Sequence, residues 1–147
     1  MGDRAMVISI DSLEDSDIPY LLEKKNFAYL LKEYSSYSGL QCPYPTYTYP
    51  CHATILTGLW PKDHGIYHNE PFDPKRTKTR WFWWADELKA MNAIEAAHSK
   101  GLKVASVTWP VTGGAKGDWV IPEIWPQKGE DPDTVFVPYS SPDAIDI

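Results

Sequence analysis

Two apolar runs along the chain predict buried strands. Ala5 to Ile10, AMVISI, ends at Asp11, which is typical of a parallel strand whose carboxyl end presents an aspartate. Lys103 to Thr108, KVASVT, is followed by Pro110 and a Gly-Gly turn, which favours a second parallel strand.

Helical patterns follow the first run. Asp17 ahead of Ile18 and Pro19 predicts a cap and a first helical turn. Asn26 is a candidate cap for a second segment, whose shared apolar face comprises Phe27, Leu30, Leu31 and Tyr34. Both segments are therefore expected to face a core.

Proline and glycine set the limits of the middle elements. The range 37–50 is rich in Tyr, Pro and Ser and is expected to be irregular, and its last residue suits the first turn of a helix that ends near Gly58. Thr48 then lies at or just before the N-terminus of that helix. The range 59–80 is predicted to be a loop, and Asn92 to Ser99 a helix closed by Gly101.

The order of these elements predicts the fold class. Strand, helices, loop, helix and strand indicate an α/β layered fold with a mainly parallel sheet, in which functional sites form outside the carboxyl ends of the strands. WFWW, at 81–84, is expected to be packed aromatic bulk, and the tail at 126–147 shows no obvious element.

Composition narrows the function class. The 147 residues fit one domain with a real core, since 43% are apolar. A net charge of -6 argues against a protein that coats nucleic acid duplexes. Cys42 and Cys51 are too few for a disulfide framework, so a reducing compartment is the default. No apolar run suits a membrane span or a secretory signal, so we expect a soluble, cytoplasmic protein.

Candidate nucleophiles cluster in the stretch 45–69, PTYTYPCHATILTGLWPKDHGIYHN. Cys51 lies near a predicted helix start, yet CHATILTG lacks the glycines and the arginine of a cysteine phosphatase loop, so a buried, inert cysteine is favoured. Thr48 needs a base or a metal to draw away its hydroxyl proton, and a helix N-terminus suits an anionic phosphoryl group. The alternative is that Thr48 only caps the helix.

Other polar residues are ambiguous by themselves. Asp11, at the end of a predicted strand, is either a metal ligand or a turn residue. Asn69 either donates to a phosphoryl oxygen or closes its own turn. The pattern of His52, His64 and His68 favours structural or supporting roles over metal binding.

Three segments together resemble the nucleotide pyrophosphatase/phosphodiesterase family of the alkaline phosphatase superfamily. They are VISID, YPTYTYPCHATILTGLWPKDHGIYHN and GLKVASVTWPVTGGAKGDWVIPEIWP. The resemblance extends from Val7 to about Trp125. Its most specific part is the order threonine, aromatic, proline, X, histidine, followed by T-G-L-x-P-x-x-H-G-I.

The resemblance implies a function and a set of site residues. Members of the family hydrolyse phosphodiester or phosphoanhydride bonds through a covalent phosphothreonine, using two divalent metal ions such as zinc in an α/β fold. By the same resemblance, Thr48 is the nucleophile and a metal ligand, and Asp11 is a ligand of the same ion. Asn69 helps the threonine N–H hold a phosphoryl oxygen, and Tyr49 stacks on a nucleobase or other leaving group. The implied substrate is a small phosphoester or nucleotide.

Two departures from the family pattern keep alternatives open. Cys51 stands where many relatives carry asparagine, and the chain has no histidine after His98, although the family takes further aspartate and histidine ligands from a longer C-terminal portion. Residues 1–147 are therefore expected to be the N-terminal portion of a catalytic domain, truncated at the C-terminus. The alternative is a non-catalytic phosphate-binding remnant or partner-binding module. Monoesters, sulfates or phosphonates are other substrate classes, and an open sheet edge would favour a homo-oligomer.

Overall fold

The computed structural model describes residues 4–30, 38–75 and 80–145. Contacts divide the chain into two compact units, Met1–Gln41 and Cys42–Ile147, and each is described by itself. The expectation that residues 1–147 form the N-terminal portion of one catalytic domain stays a prediction.

The first unit contains short helices. A 3₁₀ turn at Asp15–Asp17 leads into α1 at Ile18–Leu22 and then α2 at Lys25–Leu30. Proline stands in the first turn of α1, as predicted, although the Asp17 side chain makes no capping hydrogen bond.

Two expectations for these helices are wrong. Asn26 lies inside α2 rather than at its cap, and no residue of α1 or α2 is buried. Of the predicted apolar face, Phe27 and Leu30 are described, whereas Leu31 and Tyr34 lie outside the described residues. The apolar periodicity therefore predicted the helix correctly, but it did not predict the exposure of its apolar residues.

The second unit carries most of the regular structure. Its α-helices among the described residues are α3 at Thr48–Thr57, α4 at Pro61–His64, α5 at Ala93–Ser99 and α6 at Pro142–Ile145. Its strands are β1 at Ala105–Trp109 and β2 at Trp119–Pro122, and it has 3₁₀ turns at Ala85–Glu87 and Val137–Tyr139. No helix in the described ranges is long and apolar enough to cross a membrane.

The two strands pair in parallel, which confirms the α/β class. Ala105 pairs with Trp119 and Val107 with Ile121, and the register becomes irregular between Val107 and Trp109. β1 was predicted from its apolar run, whereas β2 was not predicted. The parallel pairing agrees with the mainly parallel sheet expected from the order of elements.

The predicted strand at Ala5 to Ile10 is wrong. The segment has no regular secondary structure, and Met6, Val7 and Ile8 are 83%, 70% and 70% exposed. A strand buried in a parallel sheet needs hydrogen-bonded neighbours, and the sheet found in the described ranges consists of β1 and β2 alone. An apolar run without such neighbours does not become a strand.

The tail contains an element that its sequence did not suggest. α6 begins at Pro142, just after Ser141. The Ser141 N–H donates to the Val120 carbonyl (2.8 Å), and the Val120 N–H donates to Ser141 Oγ (3.0 Å). These two hydrogen bonds attach the tail to the side of β2.

The core of the second unit forms around one face of α3. Tyr49, Ala53 and Leu56, spaced for one helical face, are buried in a single cluster with Phe82 and Trp83 of the WFWW stretch. The expectation of packed aromatic bulk is confirmed at these two positions. α3 ends at Gly58, which adopts the left-handed conformation (φ 71°), so the predicted end of the helix is also confirmed.

Helix α5 also begins and ends as predicted. Asn92 Oδ1 accepts a hydrogen bond from the Glu95 N–H (2.9 Å), which caps the helix start. Gly101, with φ of 77°, follows the last turn. Local capping signals therefore located this helix correctly.

Candidate active site

Thr48 is the first residue of helix α3 and is half-buried. Tyr47, with extended backbone angles, occupies the N-cap position, so the cap alternative for Thr48 is not what the structure shows. The first N–H groups of a helix lack carbonyl partners within the helix, and they carry a partial positive charge. The nucleophile candidate therefore lies where an anionic phosphoryl group would be stabilised.

Asn69 is joined to the start of this helix across 20 residues of sequence. The Tyr49 N–H donates to Asn69 Oδ1 at 3.0 Å. The backbone of Asn69 is also held, since its carbonyl accepts from the Phe82 N–H at 2.8 Å. Because the amide oxygen is used on Tyr49, the amide nitrogen is the end of the side chain that can donate to a ligand.

Tyr49 is a core residue in this structure. Its side chain is 0% exposed, and its ring packs edge-on against Trp81 with a centroid distance of 5.3 Å. Burial raises the pKa of the Tyr49 hydroxyl far above its usual range, and the charges of Glu123 and Glu87 raise it further. A leaving group would reach the ring only if neighbouring side chains moved, so the stacking role stays a prediction that this burial does not favour.

His52 holds the backbone of the nucleophile candidate. Its ring is 8% exposed, and Nδ1 lies 2.8 Å from the Thr48 carbonyl oxygen. On its other side the ring packs edge-on against Trp109, at a centroid distance of 5.3 Å. His52 therefore links the first turn of α3 to the end of β1.

His64 supports the loop that leads to Asn69. It is 0% exposed; its Nδ1 accepts from the Ile66 N–H (3.1 Å), and its Nε2 lies 3.1 Å from Thr54 Oγ1. Because Nδ1 accepts, Nε2 carries the proton and donates to the hydroxyl of Thr54. Burial lowers the pKa of His64, and the nearby charge of Asp63 opposes that effect in part.

The other residues of the motif have modest contacts. His68 Nδ1 accepts from the Glu70 N–H (3.2 Å), and its ring lies 4.4 Å from that of Tyr47. Cys42 is exposed, Cys51 is half-buried rather than buried as expected, and neither forms a disulfide bond. The structural roles expected for the histidines agree with these contacts.

Asp11 lies in the first unit, in a turn. It is exposed, and its Oδ1 accepts from the Ser12 N–H at 3.1 Å. This hydrogen bond is typical of a turn aspartate. Asp11 and Thr48 belong to different compact units, and their pairing on one metal ion stays a prediction.

The residues described do not by themselves form a metal site. No group of three or more His, Cys, Asp or Glu side chains in the described ranges could hold an ion. A catalytic zinc ion takes three protein ligands and an open position. The described side chains therefore do not fit a complete zinc centre.

Sequence patterns missed two contacts of this site. The hydrogen bond from the Tyr49 N–H to Asn69 Oδ1 joins residues that are distant in sequence, so no local pattern predicts it. The packing of Trp109 on His52 was also missed. The position of Trp109 next to the predicted β1 run was the one available signal, since carboxyl ends of parallel strands border functional sites.

Comparison with known proteins identifies similar chains. The family model for type I phosphodiesterase / nucleotide pyrophosphatase matches residues 5–144. Ectonucleotide pyrophosphatase/phosphodiesterase family member 3 of Rattus norvegicus is 35% identical over 80 residues, which cover 48% of this chain and 9% of that protein. No solved structure matches this chain.

Two human proteins are similar in the same way. Family member 1 of Homo sapiens is 35% identical over 86 residues, 54% of this chain and 9% of that protein. Family member 5 of Homo sapiens is 33% identical over 123 residues, 84% of this chain and 24% of that protein. The chain thus spans a quarter or less of the length of these relatives.

The buried state of His64 predicts a pH dependence of folding stability. The unfolded side chain binds a proton below its ordinary pKa of 6.5, whereas burial lowers the pKa in the folded state. The stabilising contribution is therefore complete above pH 6.5 and is lost as the pH falls from there toward the lowered folded value. We expect the free energy of unfolding in urea to be smaller at a pH of about 5.5 than at about 7.5.

Two variants isolate this effect. In His64→Gln the difference in unfolding free energy between the two pH values should shrink, since the titrating group is gone. His98→Gln, at an exposed histidine whose Nδ1 lies 3.4 Å from an Asp118 oxygen, should not shrink the difference, since a bond to a carboxylate does not disfavour the protonated ring. An unchanged pH dependence in His64→Gln would contradict the assignment.

Proposed function

The chain belongs to the type I phosphodiesterase / nucleotide pyrophosphatase family, and on this premise we propose that it supplies the nucleophile-bearing part of a hydrolase of phosphodiester or phosphoanhydride bonds. One observation carries the proposal. Helix α3 begins at Thr48, and Asn69 Oδ1 accepts the N–H of the next residue, Tyr49, at 3.0 Å. This contact supports a proposed site made of a hydroxyl, a helix N-terminus and an amide donor.

The proposed reaction has two displacements. Thr48 Oγ1 attacks phosphorus in line with the leaving group; the Oγ1–P bond forms, the bond from phosphorus to the leaving oxygen breaks, and the hydroxyl proton passes to solvent. Water then attacks the phosphothreonine, the Oγ1–P bond breaks, and Thr48 regains a proton. The products are an alcohol or phosphate leaving group and a phosphate monoester.

Groups of the chain would stabilise the negative charge on the non-bridging phosphoryl oxygens. The N–H groups at the positive end of the α3 dipole and the amide nitrogen of Asn69 would donate to the phosphoryl oxygens. The oxygen of the same amide is fixed on the Tyr49 N–H, so the side chain would not need to reorganise during the reaction. Pre-arranged donors of this kind are among the largest contributors to catalysis.

Metal dependence belongs to the proposal as an expectation of the family resemblance. Two divalent ions, such as zinc, would draw the proton from the threonine hydroxyl when bound. Asp11 and Thr48 are the two proposed ligands in this chain, and the residues described do not complete a site. A full ligand set would therefore need further side chains.

The proposed substrate is a small phosphoester or nucleotide. The helix end and Asn69 would recognise the phosphoryl group, which all such substrates share, and neither contact selects a leaving group. Tyr49 is the residue proposed to contact the leaving group, and this role would require its ring to leave the core.

A second candidate function is phosphate binding without turnover, in a remnant or partner-binding module. It is favoured by the absence, across the described ranges, of any three-residue cluster that could hold a metal ion. In that case the N-terminus of α3 would bind a phosphoryl group, and Thr48 would contact it without forming a bond.

Replacing the nucleophile tests the catalytic proposal. In zinc-supplemented protein, extended through any downstream coding sequence, Thr48→Ala should lower the turnover of an aryl phosphodiester by at least about a thousandfold. Thr48→Ser, which keeps a hydroxyl, should retain part of it. Thr46→Ala is the matched control at an exposed threonine of the preceding loop and should keep the rate of the parent. Undiminished turnover in Thr48→Ala would exclude Thr48 as the nucleophile.

Asn69→Asp tests the donor role of the Asn69 side chain separately from its acceptor role. The carboxylate keeps an acceptor for the Tyr49 N–H, so the fold should persist, but it removes the donor and adds negative charge beside the phosphoryl group. We expect kcat/KM to fall by about 100-fold or more while far-ultraviolet circular dichroism stays unchanged. Asn69→Ala, which also removes the acceptor, should in addition lower the urea midpoint. A rate equal to that of the parent in Asn69→Asp would refute the donor role.

Zinc titration distinguishes the two candidate functions. By isothermal titration calorimetry we expect the chain alone to bind fewer than two equivalents of zinc, because its described residues supply no three-ligand cluster. A version extended through any downstream coding sequence should bind two equivalents if the protein is a hydrolase. If the extended version binds no zinc and still binds inorganic phosphate, phosphate binding without turnover is the correct function.

A further inference from the structure

We propose that His52 is a positioning residue for Thr48: with Trp109 it clamps the first turn of helix α3 against the carboxyl end of β1. The inference deepens the proposed function, on which it rests, because it assigns a role to a residue that does not touch the reacting atoms. Its basis is a continuous series of contacts from the nucleophile candidate to the sheet.

The first contact fixes the Thr48 backbone. His52 follows Thr48 by four residues, one helical turn, and its Nδ1 lies 2.8 Å from the Thr48 carbonyl oxygen. A carbonyl oxygen can only accept, so Nδ1 carries the proton and donates. The ring thus adds a side-chain donor to a carbonyl at the start of the helix, where a turn would otherwise fray most easily.

The second contact holds the His52 ring. It packs edge-on against the Trp109 indole, at 5.3 Å between centroids and 76° between planes. The Trp109 Nε1–H also points at the His52 carbonyl oxygen, at a longer 3.4 Å. With 8% of the residue exposed, His52 has little room for another rotamer.

The third observation concerns the backbone around Trp109. Thr108 and Val111, both β-branched, have φ angles of 51° and 60°. Such residues rarely adopt this left-handed conformation, and they keep it only where surrounding contacts determine the backbone. The Thr112 hydroxyl donates to the Trp109 carbonyl at 2.6 Å and closes this turn. The indole is therefore presented to His52 by a segment with little freedom.

These contacts have a consequence for the hydroxyl of Thr48. In-line attack requires Oγ1 to be aligned with the leaving group, and its direction follows from the backbone of the first turn of the helix. A displacement of about 1 Å can cost about 100-fold in rate. The histidine of the T-x-P-x-H motif is thus spaced to fix the threonine, which explains its position one turn later.

Two substitutions test the hydrogen bond separately from the packing. His52→Phe keeps an aromatic ring against Trp109 and removes the donor, whereas His52→Asn places an amide N–H at the same distance from the main chain as Nδ1. In the extended, zinc-supplemented protein, His52→Phe should lower kcat between about 10- and 100-fold with little change in KM. His52→Asn should recover most of the loss. Should His52→Phe not fold, His52→Leu, which also lacks a donor, replaces it in the comparison.

A second readout does not require turnover. In the parent, ¹⁵N spectra of the imidazole should show His52 protonated at Nδ1, and amide hydrogen exchange should be slow at Cys51, whose N–H donates to the Tyr47 carbonyl (3.1 Å). Exchange at this amide should accelerate in His52→Phe and slow again in His52→Asn. If the parent hydrolyses nothing, the proposed function fails while this readout still decides the positioning role. A neutral His52 protonated at Nε2, or equal behaviour of the Phe and Asn variants, would overturn the inference.

Discussion

The hydrogen bond from the Tyr49 N–H to Asn69 Oδ1 is the constraint on which the candidate site depends. It satisfies one of the N–H groups that a helix start leaves unpaired, and it does so with a side chain 20 residues away. The Asn69 carbonyl accepts from the Phe82 N–H, so the backbone that carries the amide is held as well. Hydrogen bonds therefore tie the start of α3 to the side chain of Asn69, and the backbone of Asn69 to Phe82.

Other residues of the motif support the start of α3 and the segment that leads to Asn69. Tyr49 is buried in the aromatic core and anchors the helix start, so its contribution in this structure is structural. His52 and His64 each use Nδ1 on the backbone, but with opposite polarity: the first donates to the Thr48 carbonyl and the second accepts from the Ile66 N–H. Each histidine thereby fixes one of the two segments that the Asn69 hydrogen bond joins.

The sequence predicted those elements whose formation depends on nearby residues, and it failed for those that depend on residues distant in sequence. Helices α3 and α5 were predicted because Pro50, Gly58 and Asn92 act within a turn of their own position. The strand expected at Ala5 to Ile10 was wrong because strand formation depends on neighbours that an apolar run does not reveal. For the same reason β2 and the attachment of α6 were missed. The residues of the site were found through the family motif. The orientation of the Asn69 amide could not be predicted, because it depends on a hydrogen bond to a residue 20 positions away in sequence.

The reciprocal pair between Val120 and Ser141 also bears on solubility. Ser141 pairs with β2 much as a neighbouring strand would, since its N–H and its hydroxyl are hydrogen-bonded to both main-chain groups of Val120. A shortened chain that ended before this serine would leave those groups bare and offer the sheet as a template for another molecule. The segment that begins at Ser141 thus covers the edge of β2 at Val120 and leaves less of it open to a strand from another molecule.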